Sequence, residues 1–241
     1  MRLFIFLFAV VFSAHADDTI PWSSFVLSGG THTMMGFAPP ELRRADVLNI
    51  FIEGDGMPGV ALELAQHIGG NSVYIGRPCQ YMMGNRMNTC SKALWTSHRY
   101  SSSVVRSMNR AIMAMKLRYR ADKIRLIGFS GGGTVATIIA ALRDDVDLLV
   151  TVAGNLDHKS WTDFNQIDPL TGSLNPVHFS KALESVPQIH LIGERDLVVP
   201  GSVLSSYLAS MTKLDNVQSY IIVGADHTCC WSVALADVLG P

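Results

Sequence analysis

Between residues 47 and 238, short apolar runs with strand character alternate with helical stretches, and this alternation constrains the fold more than any other feature of the sequence. Strands are expected at 47–52 (VLNIFI), 72–75, 124–129, 148–152, 188–192 and 217–223. Helices are expected near 60–67, 98–119, 132–142, 203–211 and 230–238, with a leading hairpin at 23–27 and 31–37 around Gly29-Gly30. In the longest helix Val104, Met108, Ala111, Ile112 and Met115 recur at three- and four-residue spacing, the signature of a buried stripe. Residues 76–96 and 154–176 read as irregular segments. Strands separated by helices imply an α/β architecture, a mostly parallel central sheet with helices on both faces. In such sheets ligands bind beyond the carboxyl ends of the strands, so the turns after the strands are where chemistry is sought. The composition supplies a large core, with 48% hydrophobic and only 16% charged residues against roughly 25% in an average soluble domain. A formal charge of −1 gives no electrostatic footprint for nucleic acid or an anionic membrane surface.

The first sixteen residues read as a signal peptide rather than part of the fold. Arg2 supplies the positive region, residues 3–12 the apolar run, and Ala14-His15-Ala16 a small-x-small cleavage site. The apolar run is half the length of about 20 residues that a spanning helix needs, so no stable membrane insertion is expected after cleavage. The reading is of an exported protein, periplasmic or secreted, with residues 17–241 forming a single domain. Four cysteines remain, Cys79, Cys90, Cys229 and Cys230, an even number that favours disulfides in an exported chain, with three connectivities open. Zinc is a poor reading, because no CxxC or HxxxH spacing accompanies them.

Gly128-Phe129-Ser130-Gly131-Gly132 fits G-x-S-x-G, directly after one expected strand and directly before a helix. That is the context of a nucleophile elbow, a tight turn whose flanking glycines let strand and helix approach while the serine stays accessible. The helix N-terminus adds unpaired N–H groups and a partial positive charge. A serine hydroxyl needs a base, and His227, in Gly224-Ala225-Asp226-His227 after a strand, is best placed; His158 is the second choice. The base needs a carboxylate, and Asp196 follows the 188–192 strand. The order Ser130, Asp196, His227 is serine, acid, histidine; Asp157 keeps the same order, whereas Asp226 is poorly placed to reach the ring of its own neighbour.

The chain resembles the α/β-hydrolase superfamily over essentially all of residues 17–241, and more closely a group of exported bacterial serine hydrolases of poorly defined substrate. The residues that carry the resemblance are Phe51-Ile52-Glu53-Gly54-Asp55-Gly56, Arg77-Pro78-Cys79-Gln80-Tyr81, the glycine-rich turn from Gly128 to Gly133, Val152-Ala153-Gly154-Asn155-Leu156-Asp157-His158, Ser173-Leu174-Asn175-Pro176, and Asp226-His227-Thr228-Cys229-Cys230-Trp231. The resemblance implies the hydrolase fold without a large lid domain, with Ser130 as nucleophile, Asp196 as acid and His227 as base. One oxyanion donor is then the N–H of Gly131, and the second lies in the loop after the 47–52 strand, at Asp55, Gly56 or Met57. Many hydrolases start that loop with His-Gly, where this chain has Glu53-Gly54; Glu53 is expected to brace the loop.

Other signals have plainer readings. Met82, Met83 and Met87 are read as apolar gap-fillers lining an acyl pocket rather than as soft-metal ligands. Glu53 and Asp55 lack the third ligand of a metal site. Arg77 and Tyr81 are candidates to reach the cleft, with a structural ion pair the equal alternative for Arg77; residues 161–176 are a candidate wall. The expected activity is hydrolysis of a small-molecule ester, or a thioester or amide, with no cofactor. An acyltransferase using the same three residues, and a non-catalytic binding protein of the same fold, are the alternatives.

Overall fold

The computed structural model describes residues 22–56, 59–80 and 87–240. The expected signal peptide, and Met57, Tyr81, Met82 and Met83, lie outside the described residues. Eight strands form one sheet: β1 (Ser23–Ser28), β2 (Thr33–Ala38), β3 (Val47–Ile52), β4 (Ser72–Ile75), β5 (Lys123–Phe129), β6 (Val146–Val152), β7 (Gln188–Gly193) and β8 (Val217–Ile222). Their spatial order is β1-β2-β4-β3-β5-β6-β7-β8. The hairpin β1–β2 is antiparallel and joins β4 antiparallel; from β4 across to β8 every neighbouring pair is parallel.

The helices are α1 (Val60–Ile68), α2 (Ser102–Arg118), α3 (Gly131–Ala140), α4 (His158–Asn165), the single turn α5 (Ser180–Leu183), α6 (Gly201–Ala209) and α7 (Ser232–Leu239). Alternate residues of the inner strands feed opposite faces, as the two-residue period requires. Ile50, Ile52 and Leu126 pack with the buried stripes of α2, α3 and α6. Phe51, Ile127 and Phe129 pack on the other face with α1 and α7, through Leu64, Trp231 and Leu235. Burial on both faces explains why β3, β5 and β6 read as nearly continuous apolar runs. Each fully buried Leu or Ile there stabilises the fold by about 1.5–3 kcal/mol.

Two expectations are corrected. The long helix starts at Ser102 rather than 98, because residues 97–101 are held in turns and Ser101 is the N-cap. The segment 154–176 is not irregular throughout. It contains α4, whose first turn is capped by the Asp157 carboxylate accepting from the Lys159 N–H at 3.1 Å.

Strand order reverses between β3 and β5, which lie side by side with Ile52 opposite Gly128. A crevice opens at such a reversal beyond the carboxyl ends of the strands. The turn after β3 (residues 53–56) and the turn after β5 (Ser130) therefore face each other. A Cβ placed on Gly54 would stand 3.0 Å from the Ser130 Cβ.

Candidate active site

The elbow is built by close approach. A Cβ on Gly128 would come within 2.5 Å of the Gly132 carbonyl oxygen, and one on Gly132 within 2.1 Å of the Ile52 carbonyl oxygen. Only glycine fits at either place. Ser130 between them has φ 51° and ψ −120°, a conformation that costs a non-glycine residue on the order of 1–3 kcal/mol. Its backbone is pinned in compensation: the Ser130 N–H donates to Val152 O at 2.9 Å, and its carbonyl accepts from Gly133 and Asn155 at 2.9 and 3.1 Å. The hydroxyl is thereby held at the top of β5.

His227 follows β8 in a turn organised by Asp226, whose Oδ1 accepts from the N–H groups of Thr228 and Cys229 at 2.8 and 2.9 Å. The imidazole packs on the Phe129 ring with centroids 5.1 Å apart. Its Nε2 lies 3.0 Å from Ser130 Oγ, and its Nδ1 lies 2.8 Å from Asp196 Oδ2. The other carboxylate oxygen of Asp196 accepts from the N–H groups of Val198 and Val199, each at 2.8 Å, and the side chain is fully buried. Those two amides fix which oxygen faces the histidine. The carboxylate in turn selects the imidazole tautomer with its proton on Nδ1, leaving Nε2 free to accept the serine proton.

The alternatives are placed elsewhere. The Asp157 carboxylate is taken up by Asn175 Nδ2 at 2.7 Å, Ser206 Oγ at 2.6 Å and the α4 N-terminus. His158 opens α4 as a buried ring beside Tyr100, 6.4 Å between centroids. Neither hydrogen-bonds to Ser130 or His227.

No protein-family model matches the chain, and no curated protein matches it in sequence. Solved structures do match in shape. An α/β serine hydrolase homologue from Coxiella burnetii superposes with a TM-score of 0.63 at 17% identity, covering 90% of this chain and 95% of that one. An esterase of Pyrococcus furiosus gives 0.65 at 13% identity over 90% and 88%. An acylaminoacyl peptidase of Pyrococcus horikoshii gives 0.67 at 15% over 88% of this chain and 38% of that one. The chain has the α/β-hydrolase fold.

In this α/β-hydrolase fold the loop after β3 lies beside the start of α3. The Gly131 N–H is the first of that helix and has no carbonyl of its own helix to bond. In the facing loop the Gly54 N–H donates to Glu53 Oε1 at 3.0 Å, and the Gly56 N–H to Gln80 Oε1 at 3.4 Å. The Asp55 N–H meets no acceptor among the described residues. Glu53 is buried and braces the loop as expected, accepting also from the N–H groups of Gly59 and Ala61 at 3.1 and 3.3 Å. Its carboxylate is thus occupied by backbone amides.

Of the groups around Asp55, sequence reasoning named Arg77 and missed Arg99 and Tyr100. Its carboxylate is bound by the Arg77 guanidinium, by Arg99 Nη1 at 3.1 Å and by the Tyr100 hydroxyl at 3.0 Å. Burial alone would raise the Asp55 carboxyl; the two guanidiniums and the hydrogen bonds from Arg77 and Tyr100 outweigh it and hold the group below the ordinary carboxylate range. Burial, reinforced by Asp55, pushes the Tyr100 phenol up. Arg77 is therefore an ion-pair partner inside the wall of the cleft. No motif marks Arg99 and Tyr100, which reach Asp55 across 44 and 45 residues.

Cys79 pairs with Cys90, and Cys229 with its neighbour Cys230. The second pair begins two residues beyond His227.

Proposed function

We propose that the protein is a serine hydrolase, carboxylesterase-like, which cleaves an ester, or a thioester or amide, through an acyl-enzyme. The observation that carries the reading is the unbroken chain from Ser130 Oγ to His227 Nε2 at 3.0 Å and from His227 Nδ1 to Asp196 Oδ2 at 2.8 Å, mounted on a strand-to-helix elbow. Solved structures of the same fold that are described as an esterase and a serine hydrolase homologue support it.

Ser130 Oγ attacks the acyl carbon while its proton passes to His227 Nε2, and the carbonyl π pair moves to the oxygen. The N–H groups of Gly131 and Asp55 are the donors assigned to that oxyanion. Collapse of the tetrahedral adduct expels the leaving group, which takes the proton from His227. Water then gives a proton to the same nitrogen and attacks the acyl-enzyme; collapse of the second adduct expels Ser130 Oγ, which takes that proton back from His227 as the acid is released. Asp196 stays ionised throughout and stabilises the imidazolium.

Labelling by a fluorophosphonate probe tests the reading without knowledge of the substrate. Labelling of the wild type that disappears in Ser130→Ala and falls steeply in His227→Ala is the expected result. A folded wild type that stays unlabelled beside a reactive control hydrolase overturns it. We propose further that the protein is exported. The charged and apolar start of the sequence, with its small-x-small site, and the pairing of all four cysteines support this reading. A mature N-terminus at Asp17 in the periplasmic or secreted fraction is the outcome that checks it.

A further inference from the structure

The wall beside the Gly131 amide carries two guanidiniums against one carboxylate that faces the crevice. A Cβ on Gly131 would lie 2.9 Å from Asp55 Oδ2, so this carboxylate sits next to the place where an acyl oxygen is received. Arg77 alone is sufficient to pair with it. That guanidinium is buried at 1% exposure, donates from Nε to the Glu53 carbonyl at 3.0 Å and lies 5.4 Å over the Tyr100 ring. Glu53 does not alter the balance toward the crevice, since its carboxylate is engaged by three amides at the base of the loop.

Arg99 is different. Of the five N–H donors of a guanidinium, Nε–H goes to the Thr96 carbonyl at 3.0 Å and one Nη1–H to Asp55. The other donors, on Nη1 and Nη2, meet no acceptor among the described residues, and the side chain is 15% exposed. Its guanidinium lies 5.6 Å over the centre of the Trp161 indole, which is itself fixed by Nε1–H donating to Val198 O at 2.8 Å. Val198 belongs to the loop that carries Asp196. Arg99 is thus a rigid cation with unused, coplanar donors, set between the oxyanion side of the crevice and the loop of the acid. A planar carboxylate is the group whose two oxygens match such a fork.

We infer that Arg99 determines specificity by binding a carboxylate carried on the acyl group of the substrate, so that the preferred substrates are half-esters of dicarboxylic acids or close analogues. The inference rests on the serine-hydrolase reading. The acyl group is assigned the charge because the leaving atom must face His227 Nε2, whereas Arg99 is anchored to Asp55 beside the Gly131 amide.

The test compares kcat/KM for monoethyl glutarate and for ethyl pentanoate, which have similar length and differ in the terminal carboxylate, by acid release in a pH-stat. The wild type is expected to prefer the glutarate ester, and Arg99→Gln to lower the ratio of the two by roughly ten- to a hundredfold, the range of a charge-assisted hydrogen bond. Arg99→Lys, which keeps the charge and loses the fork, is expected to fall between them. A ratio unchanged in Arg99→Gln, or two rates that fall together, overturns the inference and leaves Arg99 as a support for Asp55. If neither ester turns over, glutarate itself is the probe. It should slow fluorophosphonate labelling of the wild type and not of Arg99→Gln; equal labelling with and without glutarate overturns the inference, while labelling of Ser130 keeps the hydrolase reading. Absence of labelling strikes at that reading instead.

Discussion

Asp196→Asn separates orientation of the base from integrity of the fold. The two oxygens of this carboxylate have different neighbours, the Val198 and Val199 amides at 2.8 Å on one side and His227 Nδ1 at 2.8 Å on the other. An asparagine has one acceptor and one donor end. Placing its NH2 against two backbone N–H groups would leave three donors facing each other, so the amide oxygen must keep the Val198 and Val199 bonds. The NH2 then faces His227 Nδ1, which can only accept. The imidazole proton moves to Nε2, and the atom that should receive the Ser130 proton already carries one. The expected loss in kcat is about 10⁴-fold, as for the corresponding wrong-tautomer substitution in a serine protease. The fold should lose only about 1–2 kcal/mol, since one charge-assisted bond weakens and the two amides stay paired. Asp196→Ala should cost more stability, because the buried Val199 N–H and the partly buried Val198 N–H then lose their acceptor. The assay is hydrolysis of a 4-nitrophenyl ester beside urea unfolding of the same preparations. Asp196→Asn retaining more than a tenth of wild-type turnover refutes the reasoning, and so does a variant that fails only because it unfolds.

The remaining outcomes concern packing, pH and the two disulfides. Gly132→Ala should destabilise by about 3 kcal/mol or more, since the new methyl meets the Ile52 and Glu53 carbonyl oxygens at 2.1 and 2.6 Å. That loss is read in the same urea titrations. Burial would raise the Asp157 carboxyl, but hydrogen bonds from Asn175, Ser206 and the α4 backbone outweigh it and hold the folded value below the ordinary one. Its stabilisation is therefore complete above the unfolded pKa of about 3.9 and is lost as pH falls through the folded value, so the stability gap between wild type and Asp157→Asn should narrow below about pH 4. The Cys79–Cys90 bridge spans 11 residues and should contribute about 3 kcal/mol by loop closure, measured as the fall in unfolding free energy of Cys79→Ser/Cys90→Ser. Cys229–Cys230 closes almost no loop. Cys230→Ser should therefore shift Tm little and act on kcat, by loosening the turn that holds His227.

What could be read from the sequence was what is local. Every feature of the elbow lies within one continuous stretch, residues 123–140: an apolar strand, glycines on both sides of a serine, and a helix of small residues. The positions of Asp196 and His227 follow from one rule, that functional groups sit just beyond strand ends. The same rule left Asp157 standing as an alternative, because the choice depends on partners distant in sequence: Asn175 and Ser206 for Asp157, His227 for Asp196. The helix α4 was missed for a related reason. Its eight residues hold only two large apolar side chains, Trp161 and the half-exposed Phe164, too few to establish a helical period by themselves. It is held by the Asp157 cap and by Trp161 and Asn165 donating to the Val198 carbonyl at 2.8 and 3.3 Å, contacts that propensity does not encode.

Those long-range contacts close a circuit around the crevice. Ser130 and the loop of Asp55 belong to the β3–β5 side of the sheet, whereas Asp196 and His227 belong to β7 and β8. Across the floor the two sides meet through the Ser130–His227 contact and the packing of Phe129 on the imidazole. Across the rim they meet through Asp55 to Arg99, Arg99 to Trp161, and Trp161 to Val198, two residues from Asp196. A helix that joins such a circuit acts as a strut, fixing the width of the crevice and the aim of Arg99 together. Removing the indole should therefore disturb both the angle of the acid loop and the choice of substrate, whereas loss of a mobile cover would change access alone. The short segment after β6 thus joins the charged wall at Asp55 and Arg99 to the loop that carries Asp196.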